Sequence, residues 1–247
     1  KKIMKIQYIS DLHLESLNNR MFFKKYPVQP CADYLVLAGD IIPLNQIDQI
    51  NFFLDHISQV FSKVFWVPGN HEFYGSDYQS YQSCNIPIRE NVFLINSQSV
   101  ILEEYELLCS TLWSNLDLNK RWFLQYHIND FKYIKYQKDY IDALDYNAFH
   151  IDALSSLENK LQTANPSKTI VVTHHCPVML SIPEQENFST VYGSSLEDLI
   201  VKYQPLYWIY GHTHTANEMI NIRNTSLITN QLDKASEIKD CNKIIHF

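Results

Sequence analysis

The chain is short of glycine, with five in 247 residues. Glycine lets a backbone turn sharply or approach a cation or phosphate closely, so the few positions that keep it are informative. Long apolar runs are missing too: nothing approaches the roughly 18 residues of a membrane-spanning helix. The stretch Lys1–Ser10 lacks the apolar core of a signal peptide. No membrane partner and a cytoplasmic location are therefore expected. Cysteines 31, 84, 109, 176 and 241 are odd in number and show no C-x-x-C spacing. That pattern excludes a thiolate zinc site and favours free thiols in a reducing compartment over a disulfide framework. Basic charge is scarce as well: 20 Lys and Arg against 27 Asp and Glu give a net charge of −7. A duplex nucleic-acid partner would need a basic face. A small phosphorylated substrate stays compatible, because bound cations reverse the local potential. Repeats, low-complexity tracts and linkers are absent, so a single domain over 1–247 is expected.

What is present is a set of polar clusters, each placed directly after a short apolar run. Ile3–Ser10 leads into Asp11-Leu12-His13, Tyr34–Ala38 into Gly39-Asp40, and Val64–Val67 into Pro68-Gly69-Asn70-His71-Glu72. Thr169–Thr173 leads into His174-His175, and Tyr207–Tyr210 into Gly211-His212-Thr213-His214. Six of the ten histidines and three of the five glycines stand in these clusters. The apolar runs have the length and β-branched content of buried strands. Ligands of open α/β sheets bind beyond the carboxyl ends of their strands, so five such ends point to one shared rim.

Helical spacing appears between the strands. Ile47, Ile50, Phe53, Leu54, Ile57 and Phe61 form one apolar face over 47–61. Ser194-Ser195-Leu196-Glu197 reads as a capping box opening a helix to about Tyr203, and His150–Leu161 as a further amphipathic helix. Strand pairs are expected in Val92–Ser110, a hairpin in 218–229 around Arg223-Asn224, and a last strand at Lys243–Phe247. The fold class predicted is α/β, a four-layer α-β-β-α sandwich of two mixed sheets flanked by helices. The aromatic- and lysine-rich segment 112–149 has no clean period and reads as a helical, cap-like insertion near the rim. Asp117 and Asn129-Asp130 within it are candidate pocket residues.

Mixed carboxylate, amide and imidazole donors in this number point to a two-metal hydrolytic centre. Hydrolysis of a phosphate ester needs a nucleophile at neutral pH and positive charge on the phosphoryl oxygens. Two cations about 3.5–4 Å apart supply both. Such donors suit Mn, Fe or Zn better than calcium.

Asp-x-His, Gly-Asp, Gly-Asn-His-Glu, His-His and Gly-His-x-His, in this order and each after a strand, resemble the calcineurin-like metallophosphoesterases. The likeness spans Asp11 to His214 and extends to Thr111-Leu112-Trp113, Asn129-Asp130 and Thr173–Pro177, as in a bacterial branch of unassigned substrate. It implies two divalent or mixed-valence ions. Asp11, His13 and His214 would hold one, Asn70, His174 and His212 the other, with Asp40 bridging. A metal-activated hydroxide would attack phosphorus, and His71 would contact the phosphate and protonate the leaving oxygen. His175 and Glu72 would stand behind the ligands; Glu72 takes the place of an aspartate common at that point in the family. The expected activity is hydrolysis of a phosphomonoester or phosphodiester. A nuclease or cyclic-nucleotide phosphodiesterase on the same metals, or a non-catalytic scaffold of this fold that binds proteins, are the rival readings.

Overall fold

The structure, a computed structural model, describes residues 4–180, 187–215, 219–232 and 243–247. Ile3, Glu218 and Cys241, expected in a strand, a hairpin and the free-thiol set, lie outside the described residues. In chain order the strands are β1 (Lys5–Ile9), β2 (Tyr34–Ala38), β3 (Lys63–Val67), β4 (Cys84–Arg89), β5 (Val92–Asn96), β6 (Gln98–Leu102) and β7 (Tyr105–Ser110). They continue with β8 (Lys135–Tyr136), β9 (Asp139–Tyr140), β10 (Thr169–Thr173), β11 (Tyr207–Tyr210), β12 (Ile220–Ile222), β13 (Thr225–Thr229) and β14 (Ile244–His246). The helices are α1 (Leu17–Lys25), α2 (Asn51–Val60), α3 (Arg121–His127), α4 (Asp130–Tyr133), α5 (Ala143–Leu161), α6 (Ser189–Tyr192) and α7 (Glu197–Tyr203).

Two six-stranded sheets have the same plan. One runs β14-β1-β2-β3-β5-β4 and the other β12-β13-β11-β10-β7-β6. In each, four parallel strands fill the middle and an antiparallel strand closes either edge. Side-chain alternation along a strand assigns the layers. Val36 and Ala38 face inward, packing with Ile6, Phe65 and Val67 against Leu107, Ile170, Val172 and Ile209 of the other sheet. Leu35 and Leu37 face outward onto Phe23 of α1 and Phe53, Leu54 and Ile57 of α2. On the far side, Leu108, Val171 and Trp208 pack on Leu157 and Leu161 of α5 and Ile200 of α7. The result is the predicted α-β-β-α sandwich. Among the described residues no helix is long and apolar enough to cross a membrane.

The structure corrects several local expectations. The helix predicted from residue 47 begins as a 3₁₀ turn over Leu44–Ile50 and becomes α-helical only at Asn51. Val92–Ser110 holds three strands divided between the sheets, since β5 joins one and the β6–β7 hairpin the other. The capping box at 194–197 does not form. The Ser194 hydroxyl instead accepts from the backbone N–H of Asn115, and α7 opens at Glu197 after Leu196. The box that does form belongs to α5, which starts at Ala143 rather than 150: Asp142 accepts from Leu144 and Asp145 N–H, and Asp145 returns a bond to Asp142 N–H.

Segment 112–149 ends inside α5, which runs on to Leu161. It contains α3, α4 and the β8–β9 hairpin. Its own aromatic cluster, Trp113, Phe131, Tyr146 and Phe149, packs onto Phe73 and Tyr78 after β3.

Helix α7 ends on Gln204, whose φ of +47° places a side-chain-bearing residue in the left-handed region while its N–H bonds Ile200 O. Glycine avoids the Cβ clash of that conformation. Gln204→Gly is expected to raise unfolding free energy by about 0.5–1 kcal/mol. Urea titration checks this; a loss of stability would mean that the Gln204–Asn224 side-chain bond outweighs the backbone term.

Candidate metal centre

The parallel strands β1, β2, β3, β10 and β11 deliver their carboxyl ends to one edge of the sandwich, and each is followed at once by polar residues. The two sheets are tied there: Ser10 N–H donates to Asn230 O and Leu232 N–H to Ser10 O. The loop after β1 runs along the loop after β2, with Asp11, His13 and Leu14 N–H donating to Gly39, Asp40 and Ile41 O.

Five of the polar residues hold a left-handed backbone: Asp11 (φ +57°), His13 (+44°), Asp40 (+55°), His212 (+71°) and His214 (+51°). Each costs about 1–2 kcal/mol against the right-handed region. The gain is direction, since the chain reverses immediately after the strand and turns each donor toward the same point. Two glycines make the approach possible. Gly39 has φ +89°, and a Cβ there would lie 2.3 Å from His174 Nδ1. A Cβ on Gly69 would lie 2.2 Å from Asp40 Oδ1.

Asp40 is at the middle. Its Oδ1 is 3.3 Å from His174 Nε2 and accepts from His71 N–H, while its Oδ2 is 3.8 Å from both His13 Nε2 and His71 Nε2. On one side Asp11, His13, Asp40 and His214 converge, with His214 Nε2 3.7 Å from Asp11 Oδ1. On the other side Asp40, His174 and His212 converge, with His174 Nε2 3.1 Å from His212 Nδ1 and 3.2 Å from Asn70 Oδ1.

The tautomers follow from the outer partners. His174 Nδ1–H donates to Ala38 O, leaving Nε2 for the centre. The adjacent His175 is differently placed: Nδ1–H donates to Thr111 O and Nε2 accepts from Tyr146 O–H. Its ring centroid lies 4.1 Å from that of His212. Burial and the neighbouring His174 hold His175 well below the usual imidazole range.

Two acidic residues organise the rest. Glu15 Oε1 accepts from His13 Nδ1–H (3.0 Å) and His71 Nδ1–H (2.8 Å), so both imidazoles present Nε2 toward Asp40. Burial opposes ionisation of Glu15, but the two histidines outweigh it and lower its pKa to about 2. The alternating Asp11-x-His13-x-Glu15 spacing carries this residue, one step beyond the Asp-x-His motif. Glu72, fully buried, accepts four bonds: from Asp40 N–H (2.9 Å), Ile41 N–H (2.7 Å), Gly69 N–H (2.6 Å) and Trp66 Nε1–H (3.0 Å). Burial and nearby Asp40 raise its pKa to about 7 against the pull of those donors.

The donor set fits divalent cations. His13 Nε2, Asp40 Oδ2 and His212 Nε2 are buried without a hydrogen-bond partner, an arrangement that needs a reason in a native core. The field also favours positive charge. Burial resists protonation of His174, yet Asp40 and Asp11 raise its pKa to about 10; His13 is raised in the same way to about 9, with Glu15, Asp40 and Asp11 outweighing burial. Carboxylate and imidazole without thiolate is a donor set that several divalent cations accept.

The family profile for calcineurin-like phosphoesterases matches residues 4–216. The chain belongs to that family. This phosphoesterase is 32% identical over an alignment of 270 positions to Uncharacterized protein L509 of Acanthamoeba polyphaga mimivirus, covering 96% of this chain and 94% of that one. A 65-residue stretch is 45% identical to [Acyl-carrier-protein] phosphodiesterase PptH of Mycobacterium tuberculosis, 26% of this chain and 19% of that protein. The crystal structure of phosphopantetheinyl hydrolase (PptH) from Mycobacterium tuberculosis superposes with a TM-score of 0.73 at 16% identity, over 98% and 96% of the two chains. The phosphoesterase is accordingly a metal-dependent hydrolase of phosphoric esters built on the family's fold.

Glu72 ties the β2 and β3 loops of the phosphoesterase together, and glutamine in its place would offer one acceptor oxygen and one amine to four donors. Glu72→Gln is expected to lower unfolding free energy by at least about 2 kcal/mol, the cost of stranding buried donors. Urea unfolding measures it; a change under about 0.5 kcal/mol would show that this carboxylate is not what joins the loops.

Proposed function

We propose that the chain is a dinuclear phosphoesterase acting on a small phosphorylated substrate, with Asp11, His13, Asp40 and His214 holding one cation and Asp40, Asn70, His174 and His212 the other. The observation that carries this is the position of Asp40, whose two carboxylate oxygens each face a different histidine group, Oδ1 toward His174 and Oδ2 toward His13. Bound there, Mn, Fe or Zn would acidify a water and neutralise phosphoryl charge.

The chain's own residues supply the rest. His71 has Nδ1–H fixed by Glu15 and Nε2 facing the centre, beneath the Tyr74 ring 4.3 Å away. Burial opposes its charge, but Asp40 and Glu15 raise its pKa and so favour the protonated ring. In that state Nε2–H contacts a phosphoryl oxygen and delivers its proton to the departing oxygen. His174 is the ligand of the His174-His175 pair, since both nitrogens of His175 are already bonded to the 111 and 146 positions. Segment 112–149 stands as a cap-like part of one domain, and its packing on Phe73 and Tyr78 sets it beside the turn that carries His71. The free thiols Cys31, Cys84, Cys109 and Cys176 suit a cytoplasmic enzyme. A phosphodiester is the first substrate class to try, on the strength of the local likeness to PptH.

A panel of aryl monoester, aryl diester, alkyl diester and single-stranded DNA, assayed with Mn²⁺, tests the reading. Turnover is expected on a small ester, lost on chelation and restored by Mn²⁺. Asp40→Ala should lower kcat by at least about 10³-fold with the fold intact by circular dichroism. Normal turnover in that variant would refute the assignment. His71→Ala should cost about 10²–10⁴-fold on the alkyl diester and far less on a p-nitrophenyl ester, whose leaving group needs no proton. An equal loss on both substrates would remove His71 from the role of acid.

A further inference from the structure

An asparagine ligand has to offer its oxygen and not its NH₂, although the two ends have nearly the same shape. At Asn70 the choice is made from sixty residues away. The Asn70 Nδ2 donates to Asp130 Oδ1 at 2.8 Å, and the Tyr74 O–H donates to the same oxygen at 2.7 Å. A longer contact of 3.4 Å from Nδ2 to the Tyr74 oxygen closes the triangle. With Nδ2 engaged there, Oδ1 is left facing His174 Nε2 at 3.2 Å. A reversed amide would set its oxygen against a carboxylate oxygen, so the flipped form is repelled.

Asp130 is costly where it stands. It is 1% exposed at the start of α4, and its Oδ2 is buried without a hydrogen-bond partner. Burial raises its pKa above the usual carboxylate range, while the bonds from Asn70 and Tyr74 favour the ionised, acceptor-only form. An asparagine would fill the same space and could pair with Asn70 in either orientation. An acceptor-only carboxylate permits one.

We infer that Asp130 is a positioning residue for the metal centre: it holds the Asn70 amide with the oxygen toward the second cation, so that segment 112–149 contributes to metal affinity from outside the ligand set. This rests on the reading of Asn70 as a ligand. Partners behind a metal ligand typically affect affinity by about 10–100-fold when removed.

Titration calorimetry with Mn²⁺ on chelated protein tests it without any assay of turnover. The unsubstituted chain is expected to take up two ions. Asp130→Asn should weaken one of them by about 10–100-fold and leave the other unchanged. In the Asn70→Ala background, where that site keeps Asp40, His174 and His212, adding Asp130→Asn should change affinity by less than about twofold, because coupled residues lose their separate effects. Unchanged affinities in Asp130→Asn, or an equal loss in both backgrounds, would overturn the inference while leaving the two-ion reading in place. Failure of the unsubstituted chain to bind two ions would overturn that reading and this one together. A measurement free of any fold change in the variant is amide exchange in ¹⁵N-asparagine-labelled metal-free protein. The Asn70 side-chain NH₂, identified by its loss in Asn70→Ala, should exchange slowly in the unsubstituted chain. Free exchange there would show that Asp130 does not hold it.

Discussion

A carboxylate at position 40 that is 1% exposed sets the terms for the rim of this molecule. Burying an ionised group is expensive unless opposite charge and hydrogen bonds surround it. Burial itself pushes Asp40 toward neutrality, but His174, His71 and His13 hold its pKa well below the usual range. None of these imidazoles is a sequence neighbour, so the charge can be kept only if β1, β2, β3 and β10 end at the same place. The left-handed turns and the glycines at 39 and 69 are the geometric consequence of that demand. They spend backbone energy to bring donors nearer than ordinary strand ends allow.

A second ring of acids converts this proximity into orientation. Glu15 gathers two imidazole N–H groups and so decides which nitrogens of His13 and His71 face inward. Glu72 gathers the backbone N–H groups of residues 40, 41 and 69 and so fixes where the Asp40 and Asn70 loops stand. Glutamate carries one methylene more than aspartate, and at 72 its two oxygens span both loops and Trp66 as well. Carboxylates that accept from N–H groups in this way tune donors without competing for the cation. The ion pairs of Asp11, Asp40 and Glu15 are to histidines, which can give up their protons to metal ions as lysine could not at neutral pH.

The layers and the rim were readable from sequence because both rest on local signals. β2, β10 and β11 begin and end where their apolar runs do, since a glycine or a histidine follows each run directly. Elements with weak local signals were not readable. Helix α1 is a polar stretch with Asn18, Asn19 and Arg20 inside it and Leu17 and Met21 exposed, so its burial on Phe23 shows no period. Strand β4 contains Pro87 beside a register shift, which is tolerated because it forms a sheet edge. The capping box expected at 194–197 lost to tertiary demand. Ser194 was taken by Asn115 N–H, while Asp142 remained free to cap α5. Glu15 lay within the alternating pattern and was visible in principle. The Asp130–Asn70 bond was not, as no periodicity links positions sixty apart.

The rim and segment 112–149 differ in how they are held. Residues that grip the centre sit on turns directly after strands in the middle of two sheets, where a shift in any one disturbs the others through shared carboxylates. Segment 112–149 is built differently. Its cluster of Trp113, Phe131, Tyr146 and Phe149 is internally packed, and several of its large side chains, including Trp122, Tyr126 and Tyr133, face solvent. It touches the rim through few polar contacts, among them Asp130 to Asn70 and Tyr146 to His175. Its cluster also takes in Phe73 and Tyr78 after β3, so it is anchored beside the turn that carries His71. The segment thus meets the rim through Asp130 and Tyr146, while the strand ends carry the clustered carboxylates and imidazoles.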